Sequence, residues 1–307
     1  MVRGKVIEEK NYLISLILIT YNRINVLIDC IDAINTQTYQ SLEIILVDNS
    51  SSDGTSEIIK NKYSDIKLIQ AEKNLGVPGA RNLAINYAHG DLLVFIDDDC
   101  IIKDRQFFEQ LNRYFVEKKD VAILTFKIVN YFSDKVNRLE FPHRDKSLVE
   151  QEFETSYFLG TANAIRREVF ESTGVLFADY FYGFEEIDFS MRALERGFRL
   201  FYSPQFVVYH KTSPEARPSW RSVYYFTRNR IWFAFSFLPW YFIVTHFIIW
   251  LSYYFLLSLK IKHPAKFFKG LADGVRGLKK IKQRRQSLKT SKTVINKLFQ
   301  LKGRLLY

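Results

Sequence analysis

Residues 92–99, which read LLVFIDDD, join five apolar residues directly to three aspartates. The apolar part, Leu92–Ile96, has the length of a buried strand. Asp97, Asp98 and Asp99 would repel one another unless a cation held them together, although a solvated acidic turn is the simpler alternative. Oxygen ligands of this kind suit Mg²⁺ or Mn²⁺, which leave coordination positions open for phosphate oxygens. The stretch therefore predicts a strand that ends in a metal and pyrophosphate site.

The residues before this stretch alternate between strand and helix patterns. Strands are predicted at 13–20, 42–47 and 66–70, and helices at 24–34, 56–63 and 79–88. Such alternation predicts an α/β fold with a doubly wound, mostly parallel sheet whose ligands bind at the carboxyl ends of the strands. Tyr21, Asn22, Arg23, Asp48 and Asn49 follow strands as the aspartates do. We expect these polar clusters to converge on one crevice.

The later part of the chain is less regular. It predicts strands at 121–131 and 198–209, helices at 166–171 and 186–196, and a polar stretch at 134–156. At 48% hydrophobic residues, the chain can bury a substantial core. Cys30 and Cys100 lie far apart without metal-ligand spacing, which favours a reducing compartment. Residues 1–12 lack the apolar run of a secretory signal, so we expect the catalytic part in the cytosol.

The positive charge is concentrated at one end of the chain. The net charge is +11, yet residues 260–307 alone carry +14 and residues 1–259 carry −3. This asymmetry predicts an anionic partner for the C-terminal end, either membrane lipid or nucleic acid. Phe267, Phe268, Leu271, Leu278 and Ile281 have the spacing of an amphipathic helix, and the sequence contains no RNA or DNA motif. We therefore expect an anionic membrane surface as partner and no nucleic acid.

Five motifs in order resemble the signature of family 2 glycosyltransferases with the GT-A fold. They are 19–23 (ITYNR), 47–55 (VDNSSSDGT), 74–76 (NLG), 80–82 (ARN) and 95–99 (FIDDD). The resemblance continues through 160–163 (GTAN) and 184–192 (FEEIDFSMR) to 208–210 (VYH), and covers residues 13–214. It implies an inverting, metal-dependent enzyme that uses a nucleoside-diphosphate sugar, similar to rhamnosyltransferases and to enzymes of surface polysaccharide synthesis.

The resemblance also implies which residues surround the donor. Asp48 would accept a hydrogen bond from the base, and Arg81 would lie near the diphosphate. The residues expected to bind the donor are Thr20, Tyr21, Arg23, Asp48, Asn74, Arg81, Asp97 and Asp98.

The same resemblance implies a Mn²⁺ or Mg²⁺ cofactor held by Asp99, Asp97 and His210. The three aspartates align with the family pattern in two registers, so the division of roles among Asp97, Asp98 and Asp99 stays open. His210 resembles a late metal-binding histidine of some relatives, and a purely structural histidine is the alternative. The metal and Arg81 would stabilise charge on the leaving diphosphate.

An inverting transfer needs a base that removes the proton from the acceptor hydroxyl. Glu186 is the expected base. The family usually has Glu-Asp where this chain has Glu185-Glu186, so Glu185 and Asp188 stay as rivals. An acid that only offsets the dipole of the helix N-terminus is the structural alternative.

Residues 231–259 contain no Asp, Glu, Lys or Arg, and Pro239 interrupts them. Residues 240–259 would reach roughly 30 Å as a helix, enough for one membrane span. One crossing would, however, separate the basic end from a cytosolic catalytic domain, against the positive-inside tendency. We therefore expect a re-entrant or in-plane helical pair at the cytoplasmic face, peripheral or monotopic, with the basic tail on anionic headgroups. A buried helix pair in a soluble dimer is the alternative.

These observations predict three regions: a GT-A catalytic domain at 1–215, aromatic-rich membrane-associating helices at 216–260, and a basic amphipathic tail at 261–307. The expected function is transfer of a single sugar from a UDP- or dTDP-linked donor to a lipid-linked or growing glycan. Residues 219–221 (SWR) lack the Gln-x-x-Arg-Trp motif of processive synthases. Two alternatives are a catalytically inactive membrane-bound scaffold and a sugar nucleotidyltransferase, although the latter should have a Gly-rich loop after the first strand.

Overall fold

The computed structural model describes residues 10–215, 217–288 and 290–303, without the side chain of Arg138. One sheet organises these residues. Its strands are β1 (Ile14–Thr20), β2 (Leu42–Asp48), β3 (Ile66–Gln70), β4 (Leu92–Ile96), β5 (Cys100–Ile101), β6 (Val121–Asn130), β7 (Phe153–Glu154), β8 (Ala162–Arg166) and β9 (Arg199–His210).

The strand order in this sheet is β3-β2-β1-β4-β8-β6-β9-β5, and β7 pairs with β9. Strands β3, β2, β1 and β4 are parallel neighbours, whereas β8 runs antiparallel to both β4 and β6. The residues of β1 and β4 are almost all buried, as expected for strands covered on both faces. The expected α/β fold with a mostly parallel sheet is confirmed.

The α-helices in the described residues divide into two groups. Those of the sheet domain are α1 (Ile24–Ile34), α2 (Thr55–Lys62), α3 (Gly76–Ile85), α4 (Phe107–Glu117), α5 (Arg167–Thr173) and α6 (Glu185–Glu195). Those of the C-terminal part are α7 (Trp220–Phe237), α8 (Trp240–Lys260), α9 (Pro264–Arg276), α10 (Leu278–Ser287) and α11 (Lys292–Gln300). Short 3₁₀ helices lie at Arg138–Glu140, Lys146–Glu150 and Ala178–Tyr180.

The strong sequence patterns predicted their elements well. The structure has α1, β3 and β4 at the predicted residues, and the other predicted elements differ by a few residues at their ends. Helix α4 and strand β8 were not predicted. Strand β8 contains part of the GTAN motif, and its pairing with β4 places this motif beside the aspartates.

The C-terminal end packs against the sheet domain, which the sequence did not lead us to expect. Arg284 of α10 binds Asp188 of α6 through two bonds of 2.5 and 2.7 Å, and Lys297 of α11 pairs with Glu154. Residues expected to form a basic tail on a membrane are therefore partly used inside the protein. The tail carries enough positive charge to neutralise acids of the catalytic domain as well as to face a membrane.

Only part of the predicted membrane-associating region is exposed. Phe233 and Phe237 of α7 are buried in the core shared with the sheet domain, and Ile231 is buried against α9. In contrast, Trp240, Ile248 and Leu256 of α8 are exposed, at 76%, 64% and 64% of their surface. Helix α8 is the one described helix that is long and apolar enough to cross a membrane. Residues 216–260 thus contain one helix of the protein core and one exposed apolar helix.

Candidate active site

A cavity of about 770 Å³ opens at the carboxyl ends of β1 and β4. One group of lining residues, which we call the acid-rich half, consists of Arg23, Arg81, Asp97, Asp98, His210 and Arg217. A second group, which we call the aromatic half, consists of Phe181, Tyr182, Phe184, Tyr225, Phe226 and Tyr254. Glu185 and Glu186 lie where the two halves meet, because they directly follow Phe184.

The cavity brings together ten of the thirteen predicted site residues. They are Thr20, Tyr21, Arg23, Asn74, Arg81, Asp97, Asp98, Glu185, Glu186 and His210. Asp99 lies behind this lining and is completely buried. The expected convergence of the polar clusters on one crevice is therefore present in the structure.

Arginines hold the aspartate cluster together. Arg23 contacts Asp98, and its Nη2 lies 2.7 Å from Asp99 Oδ2. Arg217 lies 3.4 Å from Asp99 and 3.9 Å from Asp97 through Nη2. These guanidinium groups thus reduce the repulsion among the carboxylates. They neutralise part of the negative charge that a divalent cation would otherwise neutralise.

The strand pairing explains why His210 lies beside Asp99. Cys100 of β5 pairs with His210 of β9, so the residue after the aspartates faces the end of the longest strand. His210 Nε2 lies 3.3 Å from Asp99 Oδ1, and Nδ1 contacts Glu140. A carboxylate behind an imidazole is the usual support of a metal-binding histidine.

The residues fit a divalent cation. Buried His210 Nε2 has no hydrogen-bond partner in the described residues, and one ligand atom each from Asp99, Cys100 and His210 lie within 4.8 Å of one another. Burial raises the pKa of the Cys100 thiol well above its usual value, so this group is a poor ligand. Carboxylate and imidazole donors suit Mn²⁺ or Mg²⁺. Asp99 and His210 form this group, whereas Asp97 is outside it and its predicted ligand role stays a prediction.

The electrostatics divide the cluster. Burial raises the pKa of Asp98 to about 7, against the opposing effect of Arg23. Burial also acts on Asp99, but His210, Arg217 and Arg23 outweigh it and hold the pKa of Asp99 well below its usual value. Burial lowers the pKa of His210, but its contacts with Asp99 and Glu140 outweigh this effect and raise the pKa to about 10, so a cation at Asp99 and His210 would have to displace the imidazole proton.

Glu185 and Glu186 occupy the boundary of the two halves, and Arg81 holds both. Arg81 Nη1 lies 3.8 Å from Glu185 Oε1 and 3.7 Å from Glu186 Oε1. Burial raises the pKa of both carboxyls. The Glu186 side chain is 19% exposed and the Glu185 side chain is 1% exposed, so Glu186 is the more accessible of the two.

Gly160 makes room for Glu186. A Cβ atom at Gly160 would lie 1.9 Å from Glu186 Oε1, far closer than any permitted contact. The carbonyl oxygen of Gly160 also accepts a 2.7 Å hydrogen bond from Arg81 Nη2. A single backbone position therefore sets both the acid and the arginine beside it.

Besides Asp99, two predicted site residues lie outside the cavity lining. Asp188 is completely buried and is held by Arg192, Arg284 and Tyr180, so it fixes α6 rather than facing a substrate. Asp48 accepts hydrogen bonds from Ser51 and Ser56 and thereby shapes the turn after β2. The neighbouring Asn49 lines the cavity in its place.

Sequence reasoning missed the contribution of α7. Buried Asn229 donates 2.9 Å hydrogen bonds to the carbonyl oxygens of Tyr180, Tyr182 and Gly183. These bonds hold the loop before α6, in which Phe181, Gly183 and Phe184 have positive φ angles. Arg217, Arg221 and Arg230 also line the cavity. In the sequence, residues 219–221 show only that a Gln-x-x-Arg-Trp motif is absent, and Arg217, Asn229 and Arg230 form no recognisable spacing.

The model of the family described as glycosyl transferase family 2 matches residues 15–174, more than half of the chain. The chain belongs to glycosyl transferase family 2. It is thus a glycosyltransferase, which confirms the predicted enzyme class and decides against a sugar nucleotidyltransferase.

Relatives of this glycosyltransferase support the assignment over different shares of their length. An uncharacterised protein of Haemophilus influenzae is 30% identical over 171 residues, which are 53% of this chain and 92% of that protein. The Escherichia coli UDP-Glc:alpha-D-GlcNAc-diphosphoundecaprenol beta-1,3-glucosyltransferase is 34% identical over 125 residues, or 40% of this chain. The glycosyltransferase described here spans 47% of that enzyme's length.

A solved mannosyltransferase from Pyrobaculum calidifontis, in complex with GDP-Man and Mn²⁺, has the same fold as this glycosyltransferase. The TM-score is 0.56 at 18% identity, with 95% of this chain and 84% of the other covered. The likeness extends beyond the family match, since it includes most of the C-terminal helices. It confirms the GT-A fold class.

Proposed function

We propose that this chain transfers a single sugar, with inversion, from a nucleoside-diphosphate sugar to a lipid-linked or growing glycan in surface polysaccharide synthesis. The observation that supports this best is the shared cavity, in which Asp97, Asp98 and His210 face Glu186 across one space. The named Escherichia coli relative acts on a diphosphoundecaprenol-linked sugar, which fits a lipid-linked acceptor.

The donor would bind in the acid-rich half. Asp99 and His210 would hold Mn²⁺ or Mg²⁺, which neutralises the phosphates of the donor when bound. Arg81 and Arg217 are placed to stabilise the negative charge that grows on the leaving diphosphate. Tyr21 and Asn49 line the same half and would contact the nucleoside.

Glu186 would act as the base. It would remove the acceptor hydroxyl proton while that oxygen attacks the anomeric carbon, and the carbon–oxygen bond to the diphosphate breaks on the opposite face. A carboxyl in this role works best when its pKa is closer to neutral than usual, which burial provides here. Gly160 and Arg81 fix its position.

Helix α8 would contact one surface of the membrane without crossing it. The apolar window of α8 is only 17% buried, and exposed lysines of α9 and α10 add positive charge beside it. Helix α7 before it and helix α10 after it both pack on the sheet domain. A crossing by α8 would separate these two helices, so the packing supports an in-plane, monotopic position.

Incubating the full chain with UDP- and dTDP-sugars, Mn²⁺ and a lipid-diphosphate-linked monosaccharide tests the proposed reaction. Mass spectrometry should show the acceptor extended by one sugar together with release of the nucleoside diphosphate. Long polymer would contradict single-sugar transfer. No release of nucleoside diphosphate from any donor would favour the inactive scaffold instead.

Sedimentation with vesicles containing phosphatidylglycerol tests the membrane position. Replacing exposed Ile248 and Leu256 of α8 by serine should reduce the vesicle-bound fraction, while the same change at exposed Val175, away from α8, should not. Equal sedimentation of both variants would contradict contact through α8.

A further inference from the structure

The arginines of the cavity differ in what they face. Arg23, Arg81 and Arg217 each lie within 4.0 Å of at least one carboxylate. Arg221 and Arg230 have no carboxylate within that distance among the described residues. Both line the cavity on the side of the aromatic half.

Arg230 is the more unusual of the two, because it is only 7% exposed. Its Nη1 lies 3.3 Å from His246 Nε2, its Nη2 donates to Tyr254 at 3.4 Å, and its Nε has no partner in the described residues. Its guanidinium lies 4.0 Å from the Trp250 ring centre and 4.7 Å from that of Phe184. Aromatic rings stabilise a cation only partly, so a buried charge without an anion is costly.

Neighbouring donors repeat this pattern. Arg221 Nε and Trp250 Nε1 are also buried without an acceptor in the described residues. Arg221 stacks on Tyr182, with its guanidinium 3.7 Å from the ring centre. An anionic ligand would satisfy such buried N–H groups, which lie beside two guanidinium groups that contact no carboxylate in the described residues.

The position of Arg230 indicates which substrate carries this anion. Phe184, which Arg230 touches, lies two residues before Glu186, so their Cα atoms are at most about 7 Å apart. Tyr254, the other contact, belongs to α8, whose opposite face is exposed and apolar. The donor diphosphate is expected beside the carboxylates that would hold the metal, and none of these lies within 4.0 Å of Arg230 in the described residues.

We propose that Arg230 forms an anion subsite for the phosphate or diphosphate that joins the acceptor sugar to its lipid. This subsite rests on the proposed function and specifies the acceptor. The acceptor hydroxyl lies at Glu186, the phosphate at Arg230, and the lipid chain leaves along α8. Such an arrangement favours the sugar attached directly to the lipid phosphate over the far end of a long glycan.

Calorimetric titration of the full chain in detergent tests this subsite, with farnesyl diphosphate, farnesyl phosphate and farnesol as probes. Wild type should bind the phosphorylated probes roughly tenfold or more tightly than farnesol, because hydrogen bonds to charged groups contribute strongly. Arg230→Met should remove this preference and leave farnesol binding unchanged. Arg276→Met, an exposed arginine of α9 paired with Asp273, is the matched control and should change neither.

Thermal unfolding separates a binding role from a structural one. Removing an unpaired buried charge should leave the melting temperature of Arg230→Met equal to or above that of wild type. A lower melting temperature with unchanged farnesyl diphosphate affinity would overturn the proposal. Arg230→Lys keeps the positive charge, should retain part of the preference for the phosphorylated probes, and provides a second variant if Arg230→Met does not fold.

Two further measurements identify the source of the anion. Binding of UDP or dTDP with Mn²⁺ should be equal in wild type and Arg230→Met, and a loss in the variant would assign Arg230 to the donor and overturn the proposal. Sedimentation with phosphatidylglycerol vesicles should also be equal, and a selective loss there would assign Arg230 to lipid headgroups. If wild type binds farnesyl diphosphate but no nucleoside diphosphate, the proposed donor fails while the subsite stands.

Discussion

The two halves of the cavity balance charge in opposite ways. In the acid-rich half, three arginines face a group of aspartates and glutamates, so cations and anions are both supplied by the protein. In the aromatic half, Arg221 and Arg230 face rings, hydroxyls and an imidazole. The first half can therefore exchange a guanidinium contact for a metal ion, whereas the second lacks an anion that a substrate has to bring. Under the proposed function, the acid-rich half would bind the donor and the aromatic half the acceptor.

The largest expected effect is at the boundary of the halves. Glu186→Gln should lower the rate of sugar transfer by roughly 10³-fold, because the amide cannot accept the hydroxyl proton. Binding of nucleoside diphosphate with Mn²⁺ should stay unchanged, and exposed Glu171→Gln serves as control. Normal turnover by Glu186→Gln would show that the base is another residue and that the reaction does not take place where the two halves meet.

The next largest effect is expected on stability, at Asp188, which holds the helix that carries Glu185 and Glu186. Asp188→Asn would leave Arg192 and Arg284 facing an uncharged group in a fully buried position. We expect the free energy of unfolding to fall by about 3–5 kcal/mol. Exposed Asp29, which pairs with Lys211, is a suitable contrast, since Asp29→Asn should cost less than about 1 kcal/mol. Chemical denaturation measures both.

Transfer by Asp188→Asn separates the rival bases. Assayed well below its melting temperature, this variant should keep most of its activity, because Asp188 lies outside the cavity lining. A loss as large as that of Glu186→Gln, with the fold intact, would make Asp188 the base.

A smaller effect is expected from Gly160→Ala, which pushes on Glu186 from the acid-rich half. The new methyl group would displace the carboxylate, and we expect kcat to fall roughly 10- to 100-fold, since small misplacements of reacting groups are costly. Aspartate is shorter than glutamate and would not meet the new methyl group. The double variant Gly160→Ala/Glu186→Asp should therefore have nearly the same kcat as Glu186→Asp alone. If the double variant instead loses kcat by the product of the two single losses in steady-state kinetics, Gly160 and Glu186 do not act together.

The smallest expected effect is the pH dependence of kcat/KM, which should be slight near neutral pH. Burial raises the pKa of Glu186, so kcat/KM should fall by about tenfold per pH unit only below that raised pKa. A raised carboxyl pKa stabilises the native state at low pH and loses that contribution as pH rises through it, so Glu186→Gln should be the more stable form at neutral pH. A pH profile that falls at the pKa of an ordinary exposed glutamate would contradict this.

The sequence predicted the acid-rich half in detail because that half is made by local patterns. Each apolar strand ends in a polar cluster, and parallel strands bring their carboxyl ends together, as with Tyr21 and Asp97. His210 was also recognised, although its neighbour Asp99 is more than a hundred residues away. The register of β5 against β9, which joins them, cannot be read from either segment alone.

The aromatic half was largely hidden from sequence reasoning. Its residues come from the loop before α6, from α7 and from α8, and only tertiary packing brings these segments together. The hydrophobicity of 231–259 suggested a membrane segment throughout, yet α7 uses its apolar residues in the protein core. Arg230 appeared to be an ordinary residue before that segment, and its burial without an anion is visible only in the folded chain.

The central claim is that the acids at the strand ends hold a cation and that this cation binds the donor phosphates. The dependence of nucleotide binding on Mn²⁺ tests it most directly. Electron paramagnetic resonance of free Mn²⁺, titrated with the full chain with and without UDP or dTDP, gives both affinities. Wild type should bind metal and nucleotide cooperatively, each strengthening the other equally, and Asp99→Asn should weaken both by roughly tenfold or more. Nucleotide binding that is independent of Mn²⁺ and unchanged in Asp99→Asn would contradict the account.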